Sequence, residues 1–183
     1  MFATQVRRNT LVVLLTIASL AIIACGGQDD ASTGGSDATA TLPDTLFLSE
    51  APDGIETIAS LKASAKEGDE VVVRGIVGGN MEPIVAGRAS ASIMDAGIDN
   101  KCTSEEDHCM TPWDYCCTPQ EVITKNLATL QITDDAGQVL KADLEPRIKP
   151  LTTIIIKGIV GPRPNDQVLT IQAQAIYVED EVK

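Results

Sequence analysis

The chain has 183 residues, of which 14 are Lys or Arg and 26 are Asp or Glu, so its formal net charge is −12. Such an acidic chain repels nucleic acid and anionic lipid headgroups, and nucleic acid is not expected as a partner. Aromatic residues make up only 3% of the chain. A hydrophobic core must therefore be built from Val, Ile, Leu and Ala.

Residues 1–24 have the pattern of a secretory signal peptide. The first ten residues carry Arg7 and Arg8 without an acid, and the apolar run LVVLLTIASLAIIA follows. A basic start before a short apolar run is typical of such signals. The run is also shorter than the roughly 20 residues that a membrane span needs.

The segment IIAC, residues 22–25, resembles the bacterial lipoprotein signal. In that family the cysteine becomes the lipidated first residue of the mature protein, so the resemblance implies that Cys25 carries the lipid (palmitate and related acyl chains). The alternative is an ordinary cleaved signal in which Cys25 is incidental. Because Gly26 rather than Asp follows the cysteine, the resemblance further implies a lipid anchor in the outer membrane of the cell envelope, facing the periplasm.

Residues 25–43 are predicted to be a flexible tether. After the cysteine they are mainly Gly, Ser, Thr, Ala and Asp, and such a segment cannot bury enough apolar surface to fold. As a random coil it would span about 25 Å. The remaining residues, 44–183, have the right length for a single domain.

The domain pattern predicts one helix followed by strands. Ile55, Ile58 and Leu61 share one face at helical spacing, which indicates an amphipathic helix at about residues 54–66. β-branched and alternating runs then indicate strands. Their expected bounds are Val71–Val77, Ala89–Asp95, a hairpin of Leu127–Asp134 with Gln138–Leu144, Thr153–Val160 and Leu169–Val178.

Two of these strands repeat one motif. The sequence VVVRGIVGG at residues 71–79 recurs as IIIKGIVGP at residues 154–162. A glycine inside a strand marks a bulge, a sharp bend or a close backbone approach. Bent strands at equivalent places suit a small closed barrel, although two similar strands of a β-sandwich would give the same pattern.

The order of the strands resembles the OB-fold, a five-stranded Greek-key barrel. The expected fold is therefore all-β with one N-terminal helix, an OB-like barrel and a Cys-rich loop insertion at about residues 96–122. The chain also resembles a group of uncharacterised bacterial exported proteins. They share the GDEVVVRG strand (residues 68–75), the C-x-T-P-W-D-Y-C-C segment (residues 109–117) and an OB-like ending. That resemblance supports the fold and implies no activity.

The predicted loop insertion contains four cysteines with the spacing C-x6-C-x6-C-C. They are Cys102, Cys109, Cys116 and Cys117. Oxidising compartments favour disulfides, so an exported chain is expected to form two of them. Adjacent cysteines bond each other only with strain. This leaves either 102–116 with 109–117 or 102–117 with 109–116.

The same loop offers a metal site as an alternative. Thiolate and imidazole groups bind Zn and Cu, and the best ligand set is Cys102, His108, Cys109 and Cys116. The spacing is not that of a zinc finger, so no resident cofactor is expected, with Zn or Cu as the alternative. Thiol–disulfide catalysis is disfavoured because acids surround the cysteines and no C-x-x-C is present.

Trp113, Asp114 and Tyr115 are the remaining candidates for contact with a ligand. An exposed Trp–Tyr pair with a carboxylate between could stack on a sugar ring or a peptide. The alternative is a purely structural role, in which the two rings pack against the disulfides. The sequence contains no phosphate-binding glycine loop, no G-x-S-x-G and no H-E-x-x-H.

The expected function follows from these features. The sequence predicts a membrane-anchored envelope lipoprotein that is not an enzyme and whose OB-like domain is a binding or interaction module. The expected partners are the membrane, through the lipid anchor, and an envelope protein or glycan. Metal binding through the Cys/His loop, and oligosaccharide or peptide binding by the OB-like domain, are the alternatives.

Overall fold

The computed structural model describes residues 41–103 and 109–179 of the chain. The predicted signal peptide, the lipidation site Cys25, most of the predicted tether and His108 lie outside these residues. Within the described ranges, no helix has both the length and the apolar character needed to cross a membrane.

The described residues form a mostly β structure with two short α-helices. In chain order the elements are α1 (Ile58–Ser64), β1 (Glu70–Val77), β2 (Ser90–Asp95), α2 (Gln120–Asn126), β3 (Leu127–Gln131), β4 (Thr153–Val160) and β5 (Thr170–Val178). Short 3-10 segments lie at Asp44–Leu46, Lys101–Thr103 and Pro112–Asp114.

The five strands close into a barrel in the order β1-β2-β3-β5-β4. Strands β3 and β5 run parallel, and every other neighbouring pair is antiparallel. The β1–β4 ladder runs from the pair Glu70–Ile159 to the pair Ile76–Thr153. The prediction of a closed barrel is confirmed, and the β-sandwich alternative is excluded.

The interior of the barrel is aliphatic. Buried and more exposed positions alternate along β1, as expected for a strand with one face on the core. The main cluster of buried side chains contains only Leu, Ile, Val and Ala, as the composition predicted. Burying each large aliphatic side chain contributes about 1.5–3 kcal/mol, so these residues supply most of the stabilisation of the barrel.

The repeated glycine motif marks a close approach of two strands. The register between β4 and β5 shifts between Lys157 and Gly158. A Cβ atom on Gly158 would lie 2.3 Å from the carbonyl oxygen of Gln172, whereas one on Gly75 would lie 3.1 Å from that of Met94. The predicted bulge with close backbone approach is therefore confirmed at Gly158.

The helical content differs from the prediction at two places. Helix α1 begins at Ile58 rather than near residue 54, because Glu56 pairs with Val73 of β1 and Thr57 caps the helix. The Thr57 hydroxyl accepts a hydrogen bond from the Ser60 N–H at 3.1 Å. Helix α2 lies at the end of the predicted loop insertion, so the expectation of a single N-terminal helix is not confirmed.

The predicted hairpin is shorter than expected. Strand β3 ends at Gln131, and one isolated bridge, between Thr133 and Val139, continues the pairing around the turn. Residues 140–144 are not a strand. Their alternating apolar side chains instead pack into the main core, where Ala142 and Leu144 are buried.

An ion pair outside the core provides a pH-dependent test of the fold. The Arg74 guanidinium donates two hydrogen bonds to the Glu179 carboxylate, Nε to Oε1 at 2.8 Å and Nη2 to Oε2 at 2.6 Å. The hydrogen bond from Arg74 holds the pKa of the Glu179 carboxyl below its ordinary value. Both side chains are partly exposed, so water weakens the pair.

We expect Glu179→Gln to lower the free energy of unfolding by about 0.5–1 kcal/mol near neutral pH. A carboxyl with a depressed folded-state pKa contributes its full stability above the ordinary pKa of 4.5 and loses it as the pH falls through the lower, folded-state pKa. Urea unfolding of both proteins at neutral and at strongly acidic pH measures the effect. The difference should vanish in acid, and a difference of constant size would contradict the assigned pair.

Candidate metal centre

Side chains of the β2–β3 connection hold its first turn in place. The Asp95 carboxylate, at the end of β2, accepts hydrogen bonds from the N–H groups of Gly97 at 2.9 Å and Ile58 at 2.7 Å. Asn100 accepts the Cys102 N–H at 2.9 Å and donates to the Pro112 carbonyl at 2.8 Å. Asn100 thus joins the segment that carries Cys102 to the segment that carries Trp113.

The Pro112–Asp114 segment is fixed against the end of β1. The Gly79 N–H donates to the Trp113 carbonyl at 2.8 Å, and the Trp113 indole Nε1–H donates to the Met81 carbonyl at 3.0 Å. A Cβ atom on Gly78 would lie 2.5 Å from the Trp113 carbonyl oxygen, so the backbones meet only because residue 78 is a glycine. These contacts position the segment between Cys109 and Cys116.

Tyr115 turns the chain toward the thiols. Its backbone is left-handed, with φ of 58°, a conformation that costs a non-glycine residue free energy. Its side chain is fully buried and belongs to a small apolar cluster with Met94 and Ile123. Burial of the ring therefore anchors a strained turn that leads directly into Cys116 and Cys117.

The four cysteines converge on one point. The Cys116 Sγ lies 3.3 Å from that of Cys102, 3.6 Å from that of Cys109 and 3.7 Å from that of Cys117. The Cys117 N–H also points to the Cys102 Sγ at 3.1 Å. We call these four side chains the thiol cluster. No disulfide bond joins these four cysteines in the structure.

A carboxylate completes the group. Ligand atoms of Cys102, Cys109, Asp114 and Cys116 all lie within 4.8 Å of one another and can hold a metal ion. The Asp114 carboxylate is oriented from two sides, by the Thr111 hydroxyl at 2.8 Å and by the Cys116 N–H at 2.8 Å. Burial raises the pKa of the Asp114 carboxyl, but hydrogen bonds from Thr111 and Cys116 outweigh burial and hold that pKa below its ordinary value.

Close contact between the thiols shifts the pKa values of Cys102 and Cys116 in opposite directions. Burial raises the pKa of Cys102, but hydrogen bonds from the Cys117 thiol and N–H, and then from the Cys116 and Cys109 thiols, lower it below its ordinary value. The interaction with Cys102, followed by those with Cys109 and Cys117, raises the pKa of Cys116 above its ordinary range. Cys102 therefore loses its proton at a lower pH than Cys116 does.

The three sulfur–sulfur distances to Cys116 are close to those between ligands of a single ion. Four thiolates about 2.3 Å from a tetrahedral zinc ion lie about 3.8 Å from one another. The three distances to Cys116, 3.3–3.7 Å, approach that value. A disulfide bond is about 2.05 Å long and joins each sulfur to one partner, whereas Cys116 has three sulfur neighbours.

The structure brings together most of the residues proposed for the alternative metal site. Cys102, Cys109 and Cys116 are adjacent, and the candidate His108 lies outside the described residues. Asp114 joins the group although the sequence pattern assigned it to a stacking surface. The sequence did contain one indication that Asp114 lies near the thiols, namely its position two residues before Cys116. A carboxylate at that spacing can accept a hydrogen bond from the backbone N–H two residues on. The two predicted disulfides stay a prediction.

The exposed Trp–Tyr pair that was one of two alternatives for this segment does not form. Tyr115 is fully buried, because its ring fills the space beside Met94 and Ile123, and it cannot stack on a sugar or a peptide. Trp113 is half-buried and lines a groove beside the loop of residues 81–86. Of the three residues proposed for ligand contact, Trp113 alone borders this groove.

No known protein family, no curated protein and no solved structure matches this chain. The function is therefore inferred from the side chains of the site itself.

Proposed function

We propose that this protein is a membrane-anchored envelope lipoprotein whose OB-like domain binds a thiophilic metal ion, Zn²⁺ or Cu⁺, through the thiol cluster. One observation carries the proposal: the Cys116 sulfur lies 3.3–3.7 Å from three other sulfurs. Thiolates are preferred ligands of both ions. The protein has the role of a binding module rather than an enzyme.

The ligand set combines sulfur and oxygen. Cys102, Cys109 and Cys116 supply three thiolates, and Asp114 supplies the fourth ligand. Three thiolates with a carboxylate suit tetrahedral Zn²⁺, and thiolates alone suit Cu⁺. Bound metal would join the two ends of a connection that has little regular structure, and so would stabilise the folded loop.

The strand order supports the OB-like assignment. An OB-fold is a five-stranded Greek-key barrel, and the order β1-β2-β3-β5-β4 with a parallel β3–β5 pair fits that description. The thiol cluster lies in the β2–β3 connection, so the barrel acts as a rigid support and the inserted loop carries the site. Binding residues are commonly placed on loops held by such scaffolds.

The proposed anchor rests on the IIAC segment and the polar tether that follows it. A lipid on Cys25 would hold the domain at the membrane, and a flexible tether would let it reach about 25 Å into the periplasm. The protein would then capture metal at the envelope surface.

Two disulfides are the competing account of the same cysteines, because an oxidising compartment favours them. A cobalt titration tests the proposal. We expect the reduced chain with Cys25→Ser to bind one Co²⁺ with the intense absorption of cobalt–thiolate bonds, and Zn²⁺ to displace it. Met110→Leu is the matched control, because Met110 is in the same loop but 91% exposed, and it should titrate as the parent does. Cobalt binding without thiolate absorption would refute the proposed ligands.

A further inference from the structure

We propose that the groove beside Trp113 binds a peptide segment of a partner protein that carries Arg or Lys. The groove has a volume of about 660 Å³ and lies between Trp113, the loop of residues 81–86, and residues 143–145 with Pro150. This volume is within the range of about 300–1,000 Å³ that is usual for ligand sites. The inference does not depend on whether the thiol cluster binds metal.

Exposed apolar side chains border the groove. Met81 is 70% exposed and Val85 is 46% exposed, and both line it. They are two of the five large hydrophobic side chains that are exposed in the described ranges. Apolar surface that gathers at a concave site, rather than scattering singly, is typical of interaction sites. Leu144 also lines the groove, and its side chain is buried.

The charge of the groove has one sign. The charged residues that line it are Glu82, Asp143 and Glu145, and no Lys or Arg is among the described lining residues. Arg147, which lines the adjoining second groove, binds Asp44 at 2.7 Å and lies 3.9 Å from the centre of the Phe47 ring. Anionic ligands are therefore repelled, and a cationic group is attracted.

An aromatic wall adds to the preference for a cation. The Trp113 indole borders the groove and is held there by its hydrogen bond to the Met81 carbonyl. Aromatic rings attract guanidinium and ammonium groups, and Trp does so most strongly. An indole beside carboxylates thus suits a guanidinium, which can stack on the ring and pair with an acid.

The length of the depression favours a peptide over a small amine. A second groove of about 480 Å³ shares Asp143, Leu144 and Glu145 with the first. The two grooves adjoin at these shared residues, and the second adds Arg147, whose charge is paired with that of Asp44 at 2.7 Å. An extended segment that alternates basic and apolar residues would satisfy both the acids and the exposed apolar side chains.

The test uses Trp113 as the reporter, because it is the only Trp of the chain. The probe is an acetylated, amidated hexapeptide that alternates Leu and Arg, and its counterpart has Glu in place of Arg. Each is titrated at low salt against the full chain with Cys25→Ser. We expect saturable binding of the arginine peptide with a change in Trp fluorescence, and none of the glutamate peptide.

The matched variants are two double substitutions with the same change of charge. Glu82→Gln with Glu145→Gln should weaken binding of the arginine peptide about 3- to 30-fold, as expected for two exposed ion pairs. Glu67→Gln with Glu70→Gln removes two acids that do not line the groove and should leave Kd within about twofold. All four positions are exposed, so the variants should fold, which a thermal melt verifies.

Several results would overturn the inference. They are equal binding of the glutamate peptide, equal weakening by both double variants, no binding of the arginine peptide, and binding of a chitin hexasaccharide in its place. Failure of the metal titration would leave this inference standing, since the groove and the thiol cluster are tested by different probes.

Discussion

Replacing Cys116 with serine should weaken Zn²⁺ binding by about two to three orders of magnitude. The binding free energy of a structural zinc site, about 10–16 kcal/mol, divided among four ligands gives roughly 2.5–4 kcal/mol for each. The Cys116 sulfur lies 3.3–3.7 Å from the other three sulfurs. A serine hydroxyl stays protonated and is a poor ligand. Competition with a chromophoric chelator measures the loss.

Cys117→Ser is the matched control for this prediction. Cys117 follows Cys116 directly, but the group that can hold an ion consists of Cys102, Cys109, Asp114 and Cys116. We therefore expect Cys117→Ser to weaken Zn²⁺ binding by less than about tenfold. In the disulfide account each of these substitutions breaks one bridge. Equal loss of stability in both variants, with no change in metal affinity, would favour that account.

Replacing Gly158 with alanine should lower the free energy of unfolding by about 3 kcal/mol, as overpacking of a fixed site does. The new Cβ atom would lie 2.3 Å from the Gln172 carbonyl oxygen and 3.1 Å from the Ala173 Cα. Both atoms belong to the backbone of β5. They cannot move away without opening the β4–β5 ladder where its register shifts.

Gly161→Ala is the control for the barrel. Gly161 follows the same strand, and a Cβ atom there would lie 3.5 Å or more from its neighbours, which is ordinary van der Waals contact. We expect a change of less than about 1 kcal/mol for this variant. Urea unfolding monitored by circular dichroism measures both. Equal midpoints for the two variants would show that the barrel does not depend on the close approach at Gly158.

The strands of the barrel were predictable because the sequence patterns that indicate strands are local. Strand β4 has the expected bounds, Thr153–Val160, and β1 begins one residue before the expected Val71. Runs of β-branched residues and alternating burial act within a few neighbouring residues. The glycine inside each repeated motif predicted a bulge, a bend or a close backbone approach. At Gly158 the structure has such a close approach, to the backbone of Gln172.

The loop insertion was less predictable because its structure depends on tertiary contacts. Helix α2 is only seven residues long, too short for a periodic pattern to be distinguished from loop sequence. Burial of Tyr115 requires a positive φ that no local propensity indicates. That turn then brings Asp114 beside cysteines that are up to twelve positions away in sequence.

The same limitation applies to the run after β3. Leu140, Ala142 and Leu144 alternate as a strand would, and alternation correctly indicated that one side of the segment faces the core. It could not indicate that the segment forms isolated bridges instead of a regular strand. Pairing is a property of two segments, and here it is limited to bridges such as Val139–Thr133 and to backbone hydrogen bonds of Leu140 with Ile132 and Ala89.

The central claim, that the thiol cluster holds a metal ion, is tested most directly by intact mass. The chain with Cys25→Ser would be exported to a periplasm, purified without reductant or chelator, and weighed under native and denaturing conditions with thiol alkylation. We predict that the native mass exceeds the chain mass by one metal ion. After denaturation we predict that four thiols are alkylated, one for each cysteine of the cluster. A mass lower by four hydrogens, with no metal and no alkylation, would mean two disulfides and would contradict the claim.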